Sequence, residues 1–226
     1  MKRHLTLIIV LVGLIGGTAA GLWLARRGTV ARQPAPVPLR ELSAASEGAQ
    51  PPHARGSEGA QVTLEEFGDF QCPPCARLHA LLKEIEKDYG ARVRFVYRHF
   101  PLDSHEHARG AALAAEAAAL QGKFWEMHDL LYERQGEWEA AQDAAPLFTG
   151  YAQSLGLDVE RFRRDVNAEH VRARVSADER RGDSVNISAT PTLFLNGREL
   201  PPEAMTPEGV RAAVETALRP TGRAGN

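Results

Sequence analysis

The two cysteines of the chain, Cys72 and Cys75, are separated by Pro73 and Pro74. The reactive form of a cysteine is the thiolate, and its pKa falls from about 8.5 to roughly 3.5–7.5 at a helix N-terminus or in a Cys-x-x-Cys pair. We expect Cys72 to cap a helix, where the helix dipole favours its anion, and Cys75 to lie one turn further in. The Cys72 thiolate would attack a disulfide, and Cys75 would resolve the mixed disulfide. The pair therefore predicts thiol–disulfide exchange.

Three other interpretations of this pair stay open from the residues alone. A structural disulfide closing so short a loop would contribute only about 2 kcal/mol, which a domain of this size does not need. Two buried free cysteines are disfavoured by the prolines between them. A metal site could recruit His79, one helical turn after Cys75, although a structural zinc site takes four ligands. The alternative function is therefore a membrane-tethered copper or zinc carrier.

The pattern around the cysteines predicts a βαβ unit. Residues 62–67 favour a strand that ends at Gly68, and residues 93–97 favour a second strand. Between them, apolar residues recur at three- and four-residue spacing from Ala76 onward, which is typical of one helix face. Gly90 would end this helix. A strand, a helix and a strand of this length form a right-handed parallel unit.

The second half of the chain predicts helices first and a hairpin afterwards. Residues 108–120 are rich in alanine, and further helices are expected between residues 124 and 186. Residues 192–195 favour a strand, Asn196-Gly197 a two-residue hairpin turn, and residues 198–200 the returning strand. Thr206 and Pro207 would begin a last helix. The expected order is βαβ, a helical insert over about residues 103–187, and ββα.

The N-terminal region favours export. Residues 5–24 carry no charge, and such a helix spans the roughly 30 Å of a bilayer core, so residues 1–27 predict a membrane anchor or a signal segment. Residues 28–60 contain five prolines among small residues and predict a flexible tether. A folded domain would occupy residues 61–220, and residues 221–226 would form a disordered tail. The net charge of −2 gives no indication of nucleic-acid binding.

Two segments together resemble the thioredoxin superfamily, in particular its DsbA-like branch with a helical insert. They are residues 62–75, which read VTLEEFGDFQCPPC, and residues 189–197, which read ATPTLFLNG. Residues 100–105 and 122–128 also resemble that branch, and the resemblance covers about residues 61–218. It implies an α/β thioredoxin-like fold, a central mixed sheet flanked by helices, with an α-helical insertion between its two halves.

The resemblance also implies a role for individual residues. Cys72 matches the nucleophile and Cys75 the resolving cysteine of a redox-active disulfide, while Pro191 matches a proline with a preceding cis bond that faces the pair. Thr190 matches the residue whose backbone pairs with substrate peptide. Glu66 matches the buried acid of the superfamily. Burial would raise its pKa and let it exchange a proton with Cys75, whereas Glu65 would point to the other face of the sheet.

The expected function is a bacterial, extracytoplasmic thiol–disulfide oxidoreductase, with disulfide introduction favoured over reduction or isomerisation. Its partners would be exported proteins with free thiols and a redox partner that resets the cysteine pair. We expect no cofactor, no resident metal, no nucleic-acid partner and a monomeric protein on the outer side of the membrane. His105 and His107 are expected to cap or pack, and Phe124 and Trp125 to lie in the core.

Overall fold

A five-stranded mixed sheet forms the centre of the fold. The computed structural model describes residues 39–219. The strands are β1 (His53–Arg55), β2 (Val62–Gly68), β3 (Val93–His99), β4 (Thr192–Leu195) and β5 (Arg198–Glu199). Their order across the sheet is β1-β3-β2-β4-β5. β2 lies in the middle of the sheet, parallel to β3 and antiparallel to β4.

Helices flank both faces of this sheet. They are α1 (Pro73–Tyr89), α2 (Ala108–Ala119), α3 (Phe124–Glu133), α4 (Gln135–Trp138), α5 (Ala145–Ser154), α6 (Val159–Val166), α7 (Glu169–Ser184) and α8 (Pro207–Leu218). Successive strand residues point to opposite faces. Leu64 accordingly packs in one apolar cluster with α1 and α8, and Phe67 in another beside α7.

The thioredoxin-like order expected from the sequence is confirmed. β2, α1 and β3 form the parallel βαβ unit, and β4, β5 and α8 form the ββα half. The insert between them consists of α2 to α7. Asn196 and Gly197 turn the hairpin with positive φ angles of 49° and 81°. Thr206 caps α8, because its side chain accepts a hydrogen bond from the Gly209 backbone N–H, with Pro207 as the first helical residue.

The prediction of a flexible tether over residues 28–60 is wrong for residues 39–60, because these residues pack against the fold. β1 lies at one edge of the sheet, antiparallel to β3. Ala49 is buried, and its backbone N–H donates to Asp178 Oδ1 at 2.8 Å. The His53 ring stacks on Phe124 with 3.4 Å between the ring centroids. These contacts join residues far apart in sequence, so the composition of the segment does not reveal them.

The first described residues also extend the opposite edge of the sheet. The Leu42 backbone N–H donates to the Gly197 carbonyl at 2.8 Å, and the Glu199 N–H donates to the Arg40 carbonyl at 3.0 Å. An isolated antiparallel bridge joins Glu41 to Arg198. Residues 40–42 therefore cover β5.

Within residues 39–219, no helix has the length and apolarity needed to cross a bilayer. The predicted anchor over residues 1–27, the first part of the tether and the predicted tail over residues 221–226 lie outside the described residues.

Candidate active site

The turn between β2 and α1 presents Cys72 at the start of α1. Cys72 is the N-cap residue with an extended backbone, and Pro73 is the first helical residue. Asp69 organises the turn, since its carbonyl accepts from the Cys72 N–H at 3.1 Å and its buried Oδ1 accepts from the Gln71 N–H at 2.7 Å. Its Oδ2 lies 2.7 Å from His105 Nδ1, which fastens the turn to the segment after β3.

The Cys72 thiol lies against the loop before β4. Its Sγ donates to the Thr190 carbonyl at 3.2 Å. Hydrogen bonding with Cys75, and to a lesser extent with the side chain of Thr190, lowers the pKa of Cys72 from 9.0 to about 6, against the opposing effect of burial. The Thr190 hydroxyl is buried and has no hydrogen-bond partner among the described residues, so it can donate to the sulfur once the thiol ionises. Cys72 is therefore largely a thiolate at neutral pH.

Cys75 lies one turn further along α1 and is completely buried. Burial raises its pKa well above 9.0, and its hydrogen bond with Cys72 and the charge of Glu66 act in the same direction. At neutral pH Cys75 is therefore a thiol.

Glu66 points to the side of the sheet on which α1 lies. The residue is only 4% exposed, and its Oε1 has no hydrogen-bond partner among the described residues. Burial and, to a lesser extent, the charge of Cys72 raise its pKa to about 8 against the opposing effect of Arg55. Glu65, on the other face, forms salt bridges with Arg98 and Arg181. The predicted difference between the two acids is confirmed, and Glu66 holds a proton at neutral pH.

A glycine leaves space beside the Glu66 carboxyl group. A Cβ at Gly68 would lie 2.6 Å from the Tyr97 ring, 2.9 Å from Glu66 Oε1 and 2.9 Å from Tyr132 Oη. The two tyrosine hydroxyls are hydrogen-bonded to each other at 3.0 Å. Tyr97 and Tyr132 therefore form a buried polar group next to the acid.

The Thr190–Pro191 peptide bond is cis, as the resemblance implied. Pro191 lines a groove of about 480 Å³ together with Pro74, Leu78, Leu193 and Met205. The groove begins at the cysteine pair, since Pro74 lies between the two cysteines and Pro191 follows the residue that contacts Cys72.

Sequence reasoning identified the sulfurs, the acid and the proline loop, and the structure brings them together. It assigned no role to Asp69, Tyr97 or Tyr132, which lie on three different elements around the site. Asp69 carried a signal, because an aspartate just before a helix start commonly accepts backbone hydrogen bonds. The two tyrosines carried no signal that distinguishes them from ordinary core residues.

The histidines flagged by the sequence have packing roles. His107 is the N-cap residue of α2, and its Nε2 lies 2.7 Å from the Ala141 carbonyl. Phe124 is buried in the core, and Trp125 packs against it. Two groups of three metal-ligating side chains occur among the described residues, and neither contains a cysteine: His53, His99 and Glu116; and His79, His128 and Asp129.

The thioredoxin family model matches residues 49–216, about three quarters of the chain. The chain belongs to the thioredoxin family. Among solved structures, this thioredoxin-family chain is similar to oxidised BdbD from Bacillus subtilis, with a TM-score of 0.65 and 26% identity over 76% of this chain and 97% of that one. A thioredoxin-like oxidoreductase from Silicibacter pomeroyi has a TM-score of 0.58 and 27% identity over 73% and 92%. The fold is that of DsbA-like thiol–disulfide oxidoreductases.

A Wolbachia pipientis protein, alpha-DsbA1, shares the fold at a TM-score of 0.64 and only 16% identity, over 74% of this chain and 91% of that one. Among curated relatives, the chain is 38% identical to a Na(+)/H(+) antiporter NhaA 1 of Salinispora arenicola, over 93% of this chain and 33% of the antiporter. It is 41% identical to an NhaA 3 antiporter of Salinispora tropica, over 75% and 26%. The thioredoxin-family chain thus spans about a third or less of these relatives.

Proposed function

We propose that this chain is an extracytoplasmic thiol–disulfide oxidoreductase that introduces disulfides into exported proteins. The observation that carries the proposal is the difference between the two sulfurs. The pKa of Cys72 is lowered to about 6, whereas the pKa of Cys75 is raised by burial. Cys72 is thus suited to act as nucleophile and leaving group, and Cys75 is suited to remain a protonated thiol inside the domain.

This difference supports oxidation over reduction. Every interaction that stabilises the Cys72 thiolate stabilises the reduced pair relative to the Cys72–Cys75 disulfide. The disulfide then accepts electrons more readily, and the protein is a better oxidant. The proposed extracytoplasmic location fits this direction, because disulfides persist in oxidising compartments.

The reaction transfers two electrons from a substrate dithiol to the enzyme disulfide. A substrate thiolate attacks Cys72 Sγ, the Cys72–Cys75 bond breaks, and Cys75 leaves as a thiolate that takes up one proton. The protonated carboxyl group of Glu66 supplies that proton, directly or through water. The second substrate thiol loses its proton and attacks the substrate sulfur of the mixed disulfide. Cys72 then leaves as a stabilised thiolate, the substrate holds a new disulfide, and the enzyme holds two reduced cysteines.

The groove beside the pair supports a peptide as substrate. Its wall is formed by apolar side chains, including Leu78, Leu193 and Met205, with Arg77 at the helix side. An extended segment of a partly folded protein can bury apolar side chains there while its cysteine reaches Cys72. We propose that a separate redox partner reoxidises the pair, that residues 1–27 anchor the protein in the membrane, and that the domain acts as a monomer.

The decisive experiment is the equilibrium of the Cys72–Cys75 pair with reduced and oxidised glutathione. We expect the reduced form to predominate even in a mixture rich in oxidised glutathione, and a reduced test peptide to be oxidised stoichiometrically. The Cys72→Ser/Cys75→Ser variant is the matched control for non-specific oxidation. A pair that remains a disulfide in strongly reducing mixtures would assign the reductase direction instead.

A further inference from the structure

A second group of reactive side chains lies on α1 and α3 and contains neither cysteine. It consists of His79, His128 and Asp129, and we refer to it as the His79 cluster. His79 is one helical turn after Cys75 on α1, and the other two residues belong to the helical insert. His79 is 4% exposed and His128 is 3% exposed. The ring of His79 stacks on Tyr132 with 5.2 Å between the centroids.

The ligand atoms of the His79 cluster are close together. Asp129 Oδ1 lies 3.0 Å from His128 Nδ1 and 3.8 Å from His79 Nε2, and all three atoms lie within 4.8 Å of one another. A tetrahedral ion with bonds of about 2.0–2.2 Å places its ligand atoms roughly 3.3 Å apart. Small side-chain rotations would therefore bring the three atoms to coordinating distance.

In the other histidine group the nitrogens that face the carboxylate are already hydrogen-bonded to it, and the buried nitrogen without a partner, His99 Nδ1, is not the one that contacts Glu116. In that group Glu116 Oε1 is hydrogen-bonded to His53 Nε2 and His99 Nε2, and Glu116 Oε2 accepts from Arg174 Nε. Its ligand atoms are thus paired with each other. His79 Nε2, in contrast, is buried and has no hydrogen-bond partner among the described residues. An unpartnered buried polar atom costs free energy, so a ligand at this nitrogen is favoured.

The donor atoms of the His79 cluster are two imidazole nitrogens and one carboxylate oxygen. Neutral imidazole is the form that binds metal ions, and its nitrogen favours ions of the zinc type over magnesium or calcium, which prefer oxygen.

Two cations oppose a metal ion at this place. Arg55 Nη1 lies 3.4 Å from Asp129 Oδ1, and Lys83 Nζ lies 3.6 Å from Asp129 Oδ2. They partly neutralise the carboxylate, so only an ion with strong bonds to imidazole can bind. Lys83 is 44% exposed in its side chain, and it can be replaced without disturbing the core.

We propose that His79, His128 and Asp129 form a binding site for a divalent transition-metal ion of the zinc type. The ion would receive one nitrogen from α1, and one nitrogen and one oxygen from α3, with a fourth position left for water. It would join the helix that carries the cysteines to the helical insert. The proposal does not depend on the direction of thiol–disulfide exchange.

The test uses the untagged full chain as the Cys72→Ser/Cys75→Ser variant, so that no thiolate can bind metal. Co²⁺ is the spectroscopic probe, and Zn²⁺ is then added to displace it. We expect one Co²⁺ per chain with the visible bands of a low-coordinate site, lost on displacement by Zn²⁺. His79→Gln and His128→Gln should each weaken binding at least about tenfold. His53→Gln, in the paired histidine group, is the matched control and should leave binding unchanged.

A surface variant keeps the test decisive if the buried variants fail to fold. Lys83→Gln removes a cation beside Asp129 and should tighten binding by roughly threefold to tenfold. The absence of stoichiometric binding at micromolar Co²⁺ would overturn the proposal. Binding that survives both histidine substitutions, that is lost with His53→Gln, or that ignores Lys83→Gln would overturn it as well.

Discussion

Cys72 and Cys75 lie one helical turn apart, and their surroundings give them opposite acidities. Cys72 is held at the helix start beside the Thr190 carbonyl, and it is 4% exposed. Cys75 lies inside the domain, where burial and Glu66 raise the pKa of its thiol. The comparison indicates that the spacing of the two cysteines brings them together, while the elements on either side of α1 decide which one reacts.

The largest effect should come from removing each of the two sulfurs in turn. Cys72→Ser removes the nucleophile, and we expect disulfide exchange with a test peptide to fall at least about a thousandfold. In Cys75→Ser the Cys72 thiolate can still attack the disulfide of an oxidised test peptide and release one peptide thiol, but no Cys75 thiol remains to resolve the mixed disulfide, so mixed disulfides should accumulate. Non-reducing electrophoresis with mass spectrometry measures both. Equal trapping by the two variants would contradict the assignment.

Glu66→Gln tests whether the buried acid supplies the proton that Cys75 takes up. Without an acidic proton next to Cys75, the step that expels Cys75 should slow by about tenfold to a hundredfold, measured by stopped-flow mixing with a reduced peptide. Glu65→Gln, on the opposite face, is the matched control. An unchanged rate for Glu66→Gln would remove the acid from the reaction.

The same acid predicts how stability depends on pH. Its folded pKa of about 8 lies above the value of 4.5 of a free glutamate, so the folded state binds more protons between these two values. The free energy of unfolding should therefore fall as pH rises from about 4.5 to 8, and Glu66→Gln should remove a few kcal/mol of that dependence. Urea unfolding of both proteins at pH 5 and pH 8 measures it. If the free energies of unfolding of the two proteins differed by the same amount at pH 5 and at pH 8, the raised pKa would be contradicted.

The acidity of Cys72 itself should depend on Cys75, since their hydrogen bond is the largest cause of its lowered pKa. Alkylation of reduced wild-type protein by iodoacetamide should rise with pH through a midpoint near 6. In Cys75→Ala the midpoint should move up by at least about one unit, which lowers the thiolate fraction at pH 6 about fivefold. A midpoint near 9 in the wild-type protein would refute the role of Cys72.

The smallest effect should come from filling the space beside the Glu66 carboxyl group with a methyl group at position 68. Gly68→Ala places a methyl group 2.6 Å from the Tyr97 ring, and we expect a loss of about 1–3 kcal/mol of stability while the Cys72 alkylation midpoint stays unchanged. Gly150→Ala is the control, because nothing lies within 4 Å of the new Cβ and alanine favours the helix. Chemical unfolding separates the two. Equal free energies of unfolding for Gly68→Ala and Gly150→Ala would contradict the tight packing around Gly68.

The sequence was informative where the signals are local. Three signals depend only on residues that are neighbours in the sequence. They are Pro191 directly before β4, the cysteine pair at the start of α1, and the Asn196-Gly197 turn. β1 was missed because His53, Ala54 and Arg55 show no alternation, and the strand exists only through its pairing with β3. The contacts of Tyr132 and His79 were also missed, since they depend on how the insert packs on α1.

The cover that residues 40–42 place on β5 has a consequence for the solubility of shorter versions of the protein. An uncovered strand offers free N–H and carbonyl groups to another molecule, which is a common cause of self-association. A version starting at residue 49, where the family match begins, would lose this cover together with the buried Leu42 side chain. We expect it to form concentration-dependent oligomers through β5, visible by analytical ultracentrifugation, whereas a version starting at residue 39 should remain monodisperse.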